Sequence, residues 1–497
     1  MNDIVRGPVD KDWIEHRSTQ HVRYEELAGL NDSSRLGYLH GPEKSWTEED
    51  VIDIWQKAAN AANRRRDAIN HVYIHVPFCK SICSFCNYDR LRPSEAGLLK
   101  QYTERVFTSL NRIGPVVRPL KWHTLYLGGG TASVLPAKML KQILTGIDET
   151  LRWHPNSTRF FEFDPAVFNR KKLEVLLEHG FEHFSFGVQT LTSAVNEAHN
   201  RGPQSRDLVQ RRFEELRAAG MYNVSCDFLL GLKGTTPEQM AQEIGEVLKL
   251  APRWVDLYYL TPTREYVASH FENDYEKFWA HIKPFHDRIP ELAKAVAKEN
   301  GFRMRRGHGH NIILYRQMGA HERNKHKRGG IFSYTQLVDQ QRRPLHLLGL
   351  GTSARSLIFG QATIECRGSE EMGNPDGHHY YVGHEYGMAG EVRLFLSHIL
   401  RDNDVVDRVM FNRIFGADLE DILPDAVNAW RHLGLLETTD EEYRLKREER
   451  RQRVRTLLWT VPDDVMNYEL ERHEKNLAAQ RRKKEADQKG NHGSRSR

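Results

Sequence analysis

Three of the five cysteines in this 497-residue chain lie in one short segment, Cys79, Cys83 and Cys86, at the spacing C-x3-C-x2-C. Thiolates at this density, on a loop after a β-prone run that Pro77 ends, suit an iron–sulfur cluster or a soft metal ion. A [4Fe–4S] cluster usually takes four cysteines, so three leave one iron open. The open iron can chelate the amine and carboxylate of S-adenosylmethionine (SAM). An electron passed into the sulfonium would then break a carbon–sulfur bond and yield a 5′-deoxyadenosyl radical.

Two other chemistries fit the same cysteines. A structural zinc site needs a fourth cysteine or histidine at suitable spacing, and His71 and His75 are candidates. A disulfide with a spare thiol is disfavoured, because the cysteine usage indicates a reducing compartment. The iron–sulfur cluster is the preferred interpretation.

The elements around the cysteines must position them, and residues 71 to about 300 alternate short apolar strands with helices. Such alternation indicates βαβ units and a parallel sheet with right-handed crossovers. The predicted strands are 71–76, 122–127, 158–163, 182–187, 222–230 and 254–260. The predicted helices are 97–113, 137–152, 168–179, 206–219 and 236–250. Functional residues of such sheets gather at the carboxyl ends of the strands, so we expect the cysteines at that rim.

The other predicted strands also end in glycine or polar residues. Gly128-Gly129-Gly130-Thr131 follows the second strand, and glycines let a backbone approach a ligand closely. The third strand ends near Glu162, the fourth near Gln189, and the fifth carries Asp227. A zwitterionic ligand with a ribose requires about this set of carboxylates, amides and glycines, together with a cation for its own carboxylate.

The pattern with Phe85 directly before the last cysteine resembles the radical SAM superfamily. The string Y-x-H-x-P-F-C, from Tyr73 to Cys79, resembles one branch of it, the oxygen-independent coproporphyrinogen oxidase-like proteins. Arg201 follows Gln189 at that family's spacing. Four further segments look like successive family motifs in the same order: Leu125–Thr131, Phe184–Thr190, Cys226–Leu232 and the glycine-rich Leu347–Ser356. The similarity covers about residues 70 to 445.

The resemblance implies a fold and a set of ligands. The fold is of the α/β class, a partial (β/α)6 TIM-like barrel of the radical SAM type with a mainly helical C-terminal accessory domain. The ligands are a [4Fe–4S] cluster and two SAM molecules side by side. The catalytic and metal-binding residues would be Cys79, Cys83 and Cys86. The cluster-bound SAM would contact Tyr73, Phe85, Gly129, Glu162 and Arg355. The second SAM would contact Gly130, Thr131, Gln189, Arg201, Asp227 and Leu260.

The chain divides into five predicted regions. Residues 1–70 form a polar, helical extension, residues 71–300 the barrel, and residues 301–387 a connecting region near the substrate. Residues 388–465, in which helices precede a short hairpin, form an accessory, winged-helix-like domain that in the family covers the barrel mouth. Residues 466–497 are basic and low in hydrophobic residues, which predicts a disordered tail.

Histidine clusters of the connecting region are not assigned by their spacing. Gly307–His310 and His321–His326 could bind a metal or haem, and Gly377–Tyr381 could form a substrate loop. Solvated loops explain all three equally simply. Tyr334 lies where the family has an aromatic residue near its site.

Composition narrows the cellular setting. Hydrophobic content of 39% and charged content of 28% are ordinary for a soluble globular protein, and no apolar run approaches the length that spans a bilayer. The N-terminus lacks an apolar signal core. The net charge of +5 lies mostly in the last segment, so nucleic-acid binding is disfavoured. We expect a cytoplasmic protein without a membrane partner.

Two departures from the family pattern bear on the reaction. Coproporphyrinogen oxidases have a fourth cysteine two residues after the third, where this chain has Tyr88. The haem-chaperone relatives carry a His-Asn…Tyr-Trp segment that this chain lacks. The retained second-SAM residues favour methylation or cyclopropanation of an sp² carbon in a natural-product-type substrate.

Alternatives to that reaction are coproporphyrinogen-type oxidative decarboxylation, anaerobic haem processing, and haem carriage without catalysis. The expected partners are a small-molecule substrate and an external electron donor of the flavodoxin or ferredoxin type.

Overall fold

The structure is a computed structural model. It describes residues 11–28, 39, 41–64, 68–88, 90–93, 96–202, 204–306, 311–316, 345–367, 381–402, 404–446 and 456–493. The first elements along the chain are α1 (Lys11–Ala28), β1 (Lys44–Trp46) and α2 (Glu48–Arg64). A capping box starts α2, because the Asp50 N–H donates to Thr47 Oγ1 at 3.1 Å and the Thr47 N–H donates to Asp50 Oδ2 at 2.8 Å.

The next part of the chain forms the barrel, whose consecutive strands pair in parallel. Its elements are β2 (Ile69–Val76), α3 (Ala96–Val117), β3 (Lys121–Gly129), α4 (Ala137–Thr150), β4 (Arg152–Phe163), α5 (Arg170–Glu178), β5 (His183–Gln189), α6 (Ser193–Ala198), α7 (Arg206–Ala218), β6 (Asn223–Leu230), α8 (Pro237–Lys249), β7 (Trp254–Tyr259), α9 (Arg264–Phe271) and α10 (Tyr275–Glu299). All six predicted strands and all five predicted helices of this region are confirmed. The predicted partial (β/α)6 barrel is therefore the observed architecture.

Side chains on the barrel strands alternate between two environments. On β7, Val255 and Leu257 are fully buried, whereas Asp256 and Tyr258 are not. Neighbouring residues of a strand point to opposite faces, so the apolar face packs under the helices and the polar face lines the barrel lumen. This alternation places the acidic side chains inside the barrel.

Further strands extend the barrel at both edges, in a region where the sequence predicts only a connection. They are β8 (Phe302–Arg306), β9 (Ile312–Arg316), β10 (Leu345–Leu350), β11 (Arg355–Ile358), β12 (Ala362–Cys366) and β13 (Tyr381–Glu385). The sheet order is β1-β13-β12-β11-β10-β2-β3-β4-β5-β6-β7-β9-β8. β10 runs parallel to β2, with Gly349 beside Tyr73, so the second glycine-rich motif lies next to the strand that leads into the cysteines.

The C-terminal part is mainly helical, as predicted. Its elements are α11 (Gly387–Asp402), β14 (Val405–Asp407), α12 (Arg408–Phe415), α13 (Leu419–Ile422), α14 (Pro424–His432), β15 (Leu436–Thr438), β16 (Glu442–Leu445) and α15 (Asp463–Gly493). The three short strands form a separate sheet of order β14-β16-β15. Helices followed by the β15–β16 hairpin give the order of a winged helix.

A second hydrophobic core joins the N-terminal helix to this C-terminal part. Ile14 and Tyr24 of α1 share a buried cluster with Trp430 and Met466. The Arg17 side chain is 1% exposed and forms an ion pair with Asp463 at 3.1 Å. The N-terminal extension is therefore part of the C-terminal core.

The expected disordered tail from residue 466 is wrong for the residues that form α15. Met466 is fully buried and Glu469 is 3% exposed, and the ring of His473 meets Tyr24 edge-on at 5.6 Å. The composition of the tail as a whole is polar, but its first turns carry the few apolar residues that α1 covers. Tertiary packing of one face therefore forms the helix in spite of the composition.

Several predictions from sequence fall outside the described residues: Tyr334, the histidine clusters 307–310 and 321–326, most of 377–381, and residues 494–497. The division into five regions stays a prediction. None of the helices within the described ranges combines the length and hydropathy that a bilayer span requires.

Glu391 joins α11 to the turn between β11 and β12, and its protonation should affect stability. It accepts hydrogen bonds from the Gly360 N–H (3.0 Å) and the Tyr386 hydroxyl (3.2 Å). Burial raises the pKa of Glu391 to about 7, and these two bonds oppose the rise. Between its unfolded pKa and about 7 the folded state binds more protons than the unfolded state, so stability falls as pH rises through this window.

We expect Glu391→Gln to remove this part of the pH dependence. Between pH 5 and pH 8 the wild-type protein should lose about 3 kcal/mol more stability than the variant, measured by urea unfolding at each pH. Glu385→Gln, at a side chain that is 61% exposed, is the control and should follow the wild type. Parallel pH profiles for wild type and Glu391→Gln would contradict the prediction.

Candidate functional site

The cysteine loop begins directly after β2 and closes on itself by backbone hydrogen bonds. The Cys79 N–H donates to Leu91 O at 2.9 Å, and the Leu91 N–H donates to Pro77 O at 2.7 Å. Phe78 is fully buried and meets the Tyr102 ring edge-on at 5.5 Å. The loop therefore leaves and returns at the carboxyl end of β2, the rim where the sequence predicts it.

All three loop cysteines are free thiols. Thr131 Oγ1 donates a hydrogen bond to Cys79 Sγ at 3.5 Å, and Arg201 Nη1 lies 3.9 Å from Cys83 Sγ. Burial raises the pKa of Cys79 to about 11, against the effect of the Thr131 bond. Burial also raises the pKa of Cys83, and Arg201 opposes that rise. Iron must therefore displace protons from these thiols when it binds. Three thiols on one loop fit the donor set of an iron–sulfur cluster.

The glycines after β3 lie directly against this loop. A methyl group on Gly130 would be 2.9 Å from both Cys79 Sγ and Phe78 O. Gly129 has φ +110°, and a methyl group there would lie 2.9 Å from the His75 ring. Only glycine permits both the approach and the backbone conformation. The close contact explains why this strand ends in glycines.

Three polar side chains connect adjacent strands near the loop. Tyr126 of β3 donates a hydrogen bond to Glu162 of β4, and the Tyr126 ring lies 5.9 Å from the ring of Tyr73 on β2. The Tyr73 hydroxyl in turn bonds His75 Nδ1 at 3.0 Å. Burial raises the pKa of Glu162, and hydrogen bonds from Tyr126 and the Gly129 backbone oppose the rise. Glu162 is therefore held in place as an acceptor inside the barrel.

Gln189 and Arg201 meet at the end of β5. Gln189 adopts φ +62°, and its Nε2 would be 2.5 Å from a methyl group on Gly187. Arg201 Nη2 donates to Gly187 O at 2.6 Å, and Arg201 Nε donates to Gln204 Oε1 at 3.1 Å. These bonds hold the guanidinium between the end of β5 and the cysteine loop.

Asp227 of β6 and Asp256 of β7 are register partners, and Asp256 is not among the residues that the motifs predict. The pKa of Asp227 is raised by burial and then by the neighbouring Asp256, and the pKa of Asp256 is raised by burial. Two carboxyl groups this close and this dry cannot both ionise easily. The sequence signal for Asp256 is its place between the apolar residues Val255 and Leu257.

Two tyrosines face the same lumen and keep their surface accessible. Tyr88 is 61% exposed and Tyr258 is 40% exposed, although protein surrounds both. The surrounding protein raises the pKa of Tyr88 to about 12 and also raises the pKa of Tyr258, and Glu162 and Asp227 add to both shifts. The phenols therefore lie near the carboxyl groups in an open lumen.

The remaining predicted ligands lie in two places. Phe85 packs against a buried apolar cluster that includes Leu260, so these two belong with the cysteine loop. Arg355 lies at the start of β11, and its half-exposed side chain forms an ion pair with Glu365 at 2.8 Å. A contact between Arg355 and SAM stays a prediction.

Within the described ranges, no three His, Cys, Asp or Glu side chains converge as one metal ion requires. A cluster makes a different demand, because its cysteines bind different iron atoms. His71 and His75, the candidate zinc ligands, lie within β2, where His75 bonds Tyr73.

We expect Gly130→Ala to weaken cluster binding. The added methyl group would push Cys79 and the Phe78 carbonyl away from β3, so iron retention after anaerobic reconstitution should fall on the order of 10-fold. Gly97→Ala, on the exposed face of α3 with its nearest atom at 4.0 Å, is the control and should retain iron as the wild type does. Equal iron content in both variants would count against the prediction.

The sequence is similar to curated proteins that act in haem metabolism. It is 25% identical over 377 residues to the heme chaperone HemW of Bacillus subtilis (strain 168), a match that covers 74% of this chain and 93% of the relative. It is 27% identical over 223 residues to anaerobilin synthase of Escherichia coli O157:H7, covering 43% and 47%. It is 29% identical over 185 residues to oxygen-independent coproporphyrinogen III oxidase of Cereibacter sphaeroides, covering 36% and 40%. The chain thus spans less than half of the last two.

Among solved structures, the fold is similar to that of coproporphyrinogen III oxidase (HemN) from Escherichia coli, with a TM-score of 0.63. That similarity covers 86% of this chain and 97% of the other at 17% identity, and it concerns the fold alone. The family model described as the radical SAM superfamily matches residues 73–247, which contain the cysteine loop, the glycines after β3, Glu162 and Asp227. The superfamily implies a [4Fe–4S] cluster and SAM. The chain therefore belongs to the radical SAM superfamily.

Proposed function

We propose that this protein is a radical SAM enzyme that cleaves SAM reductively and acts on a cyclic tetrapyrrole. One observation carries the proposal: the three-cysteine loop lies at the mouth of a lumen lined by carboxyl groups and by accessible tyrosines. The named relatives, a heme chaperone, an anaerobilin synthase and coproporphyrinogen oxidases, support a substrate related to haem.

Cys79, Cys83 and Cys86 would hold the cluster, with Gly130 and Thr131 against Cys79 and Arg201 beside Cys83. When bound, the cluster would supply the electron that splits SAM into methionine and a 5′-deoxyadenosyl radical. The closed loop would keep the thiolates together and away from oxidation. Its burial would also exclude water from the reacting atoms.

The proposed SAM contacts divide between two molecules. Tyr73, Phe85, Gly129 and Glu162 would bind the molecule at the cluster, with Glu162 as an acceptor that Tyr126 holds in place. A carboxyl group with a raised pKa gains much by meeting a positively charged ligand. Residues assigned to a second SAM molecule are Gly130, Thr131, Gln189, Arg201, Asp227 and Leu260.

The open lumen supports a flat, N–H-rich substrate. Accessible phenol rings at Tyr88 and Tyr258 offer faces for an aromatic or pyrrolic ring. Asp227 and Asp256, whose pKa values are raised, could accept hydrogen bonds from pyrrole N–H groups at neutral pH. The proposal includes an electron donor of the flavodoxin or ferredoxin type. It also includes a cytoplasmic location, because free cysteines require a reducing compartment.

A second candidate is the methylation or cyclopropanation that the sequence motifs favour. Tyr88 at the position of the fourth cysteine, together with the residues assigned to a second SAM, supports it. The names of the curated relatives support tetrapyrrole chemistry or haem carriage instead, so this candidate ranks second.

We expect the reconstituted protein to form 5′-deoxyadenosine from SAM and dithionite without oxygen. Cys79→Ser, Cys83→Ser and Cys86→Ser should each reduce this product by more than about 100-fold, beyond the usual effect of outer-shell changes. Cys366→Ser, at a cysteine outside the loop, is the control and should keep activity. A wild-type protein that binds haem yet forms no 5′-deoxyadenosine would be a haem carrier.

We expect titration with haem or protoporphyrin to shift the Soret band, and Tyr258→Ala to weaken this binding about 10-fold through loss of one ring contact. Tyr222→Ala is the control, because Tyr222 is 60% exposed and precedes the amino end of β6. An unshifted Soret band, with deuterium from methyl-labelled SAM appearing in 5′-deoxyadenosine, would favour the second candidate. Absence of that label would exclude abstraction from the SAM methyl group.

A further inference from the structure

Ser84 lies between two of the loop cysteines and is held by two hydrogen bonds. Its N–H donates to His199 O at 3.0 Å, and its Oγ shares a hydrogen bond of 2.8 Å with His270 Nε2. One bond fixes the backbone and the other fixes the side chain. The segment from Cys83 to Cys86 is therefore attached to two histidines of other elements.

His199, the first of these histidines, is fixed in one orientation. Its Nδ1 donates to Val195 O at 2.7 Å, so its Nε2 is left to accept from the Tyr266 hydroxyl at 2.9 Å. The Lys233 N–H donates to the same hydroxyl oxygen at 2.9 Å. Burial lowers the pKa of His199, which agrees with a neutral ring that both donates and accepts.

His270 is stacked on this fixed ring. The His270 and His199 centroids are 4.5 Å apart with the planes 22° from parallel, and the Tyr266 ring lies 4.5 Å from His270 on a tilt of 38°. Lys233 Nζ donates to the His270 carbonyl. The position of the imidazole is therefore determined by groups outside the cysteine loop.

The support behind His270 is a buried apolar cluster. Tyr266 is fully buried and packs with Val195, Phe271 and Phe278, and Phe85 of the cysteine loop packs against the same cluster. This cluster is separate from the contact of Gly130 and Thr131 with Cys79. The loop is thus held near its first cysteine by the end of β3 and near its last two cysteines by α6 and α9.

We propose that His270 is a positioning residue for the cluster: through Ser84 it holds the Cys83–Cys86 segment in the conformation that receives iron. His270 has no role in the binding motifs, and its sequence environment in α9 does not mark it. A loop that is ordered before iron binds loses less conformational entropy on binding, so the Ser84–His270 bond slows cluster loss. The inference rests on the cluster of the proposed function and is independent of the substrate.

Iron release from reconstituted protein to an excess of chelator tests this role. His270→Ala and Ser84→Ala should each release iron on the order of 10-fold faster than wild type. His270→Gln should restore slow release, because the amide nitrogen reaches about as far as the imidazole Nε2. Ser269→Ala is the matched control on the same helix, since its exposed hydroxyl bonds only within α9 among the contacts described, and it should match wild type.

Coupling between the two residues gives a stricter test. If they act through one bond, the double variant should release iron no faster than either single variant. Hydrogen exchange of residues 79–88 in the iron-free protein should also be faster in His270→Ala than in Ser269→Ala. Equal release from His270→Ala and Ser269→Ala, or additive effects of Ser84→Ala and His270→Ala, would overturn the inference. Failure of wild-type protein to take up iron would overturn the proposed function instead.

Discussion

The close approach of β3 to the cysteine loop is the constraint on which the site depends. Gly130 leaves no room for a methyl group beside Cys79 Sγ and Phe78 O, so the strand and the loop must keep a fixed separation. On the opposite side, His199 and His270 hold Ser84. A short segment that carries three metal ligands would otherwise sample many conformations, and each ordered residue costs free energy. Support from two sides moves that cost from iron binding to folding.

Charge inside the barrel gives a second, electrostatic constraint. Burial raises the pKa of Glu162, and burial with a neighbouring carboxyl group raises the pKa of Asp227. A folded protein gains no stability from acids held in this way, and such groups mark places where a ligand is expected. A ligand that brings positive charge or N–H donors would lower these pKa values and be bound more tightly for it. Binding of SAM and ionisation of the lumen are therefore linked.

The outer parts of the chain are built around the barrel in an order that the chain sequence does not follow. β10, from well after the barrel strands, pairs with β2 beside Tyr73, and β1 pairs with β13. α1 shares a core with the C-terminal helices, and Arg17 is buried against Asp463. The two ends of the described chain thus stabilise one module. Substitutions in the N-terminal helix should act on the C-terminal core.

The sequence by itself determined the cysteine loop, the alternating strands and helices of the barrel, and the rim position of Gly130, Glu162 and Asp227. These follow from local rules: residue type, spacing, and the side to which a strand points its side chains. It did not determine the edge strands β8 to β13 or the helix α15, because their formation depends on partners far away in the chain. It also did not reveal Asp256, Tyr258 or His270. Each of these is ordinary in its local context and gains its role only from what the fold places beside it: a second carboxyl group, an open lumen, or a serine between two cysteines.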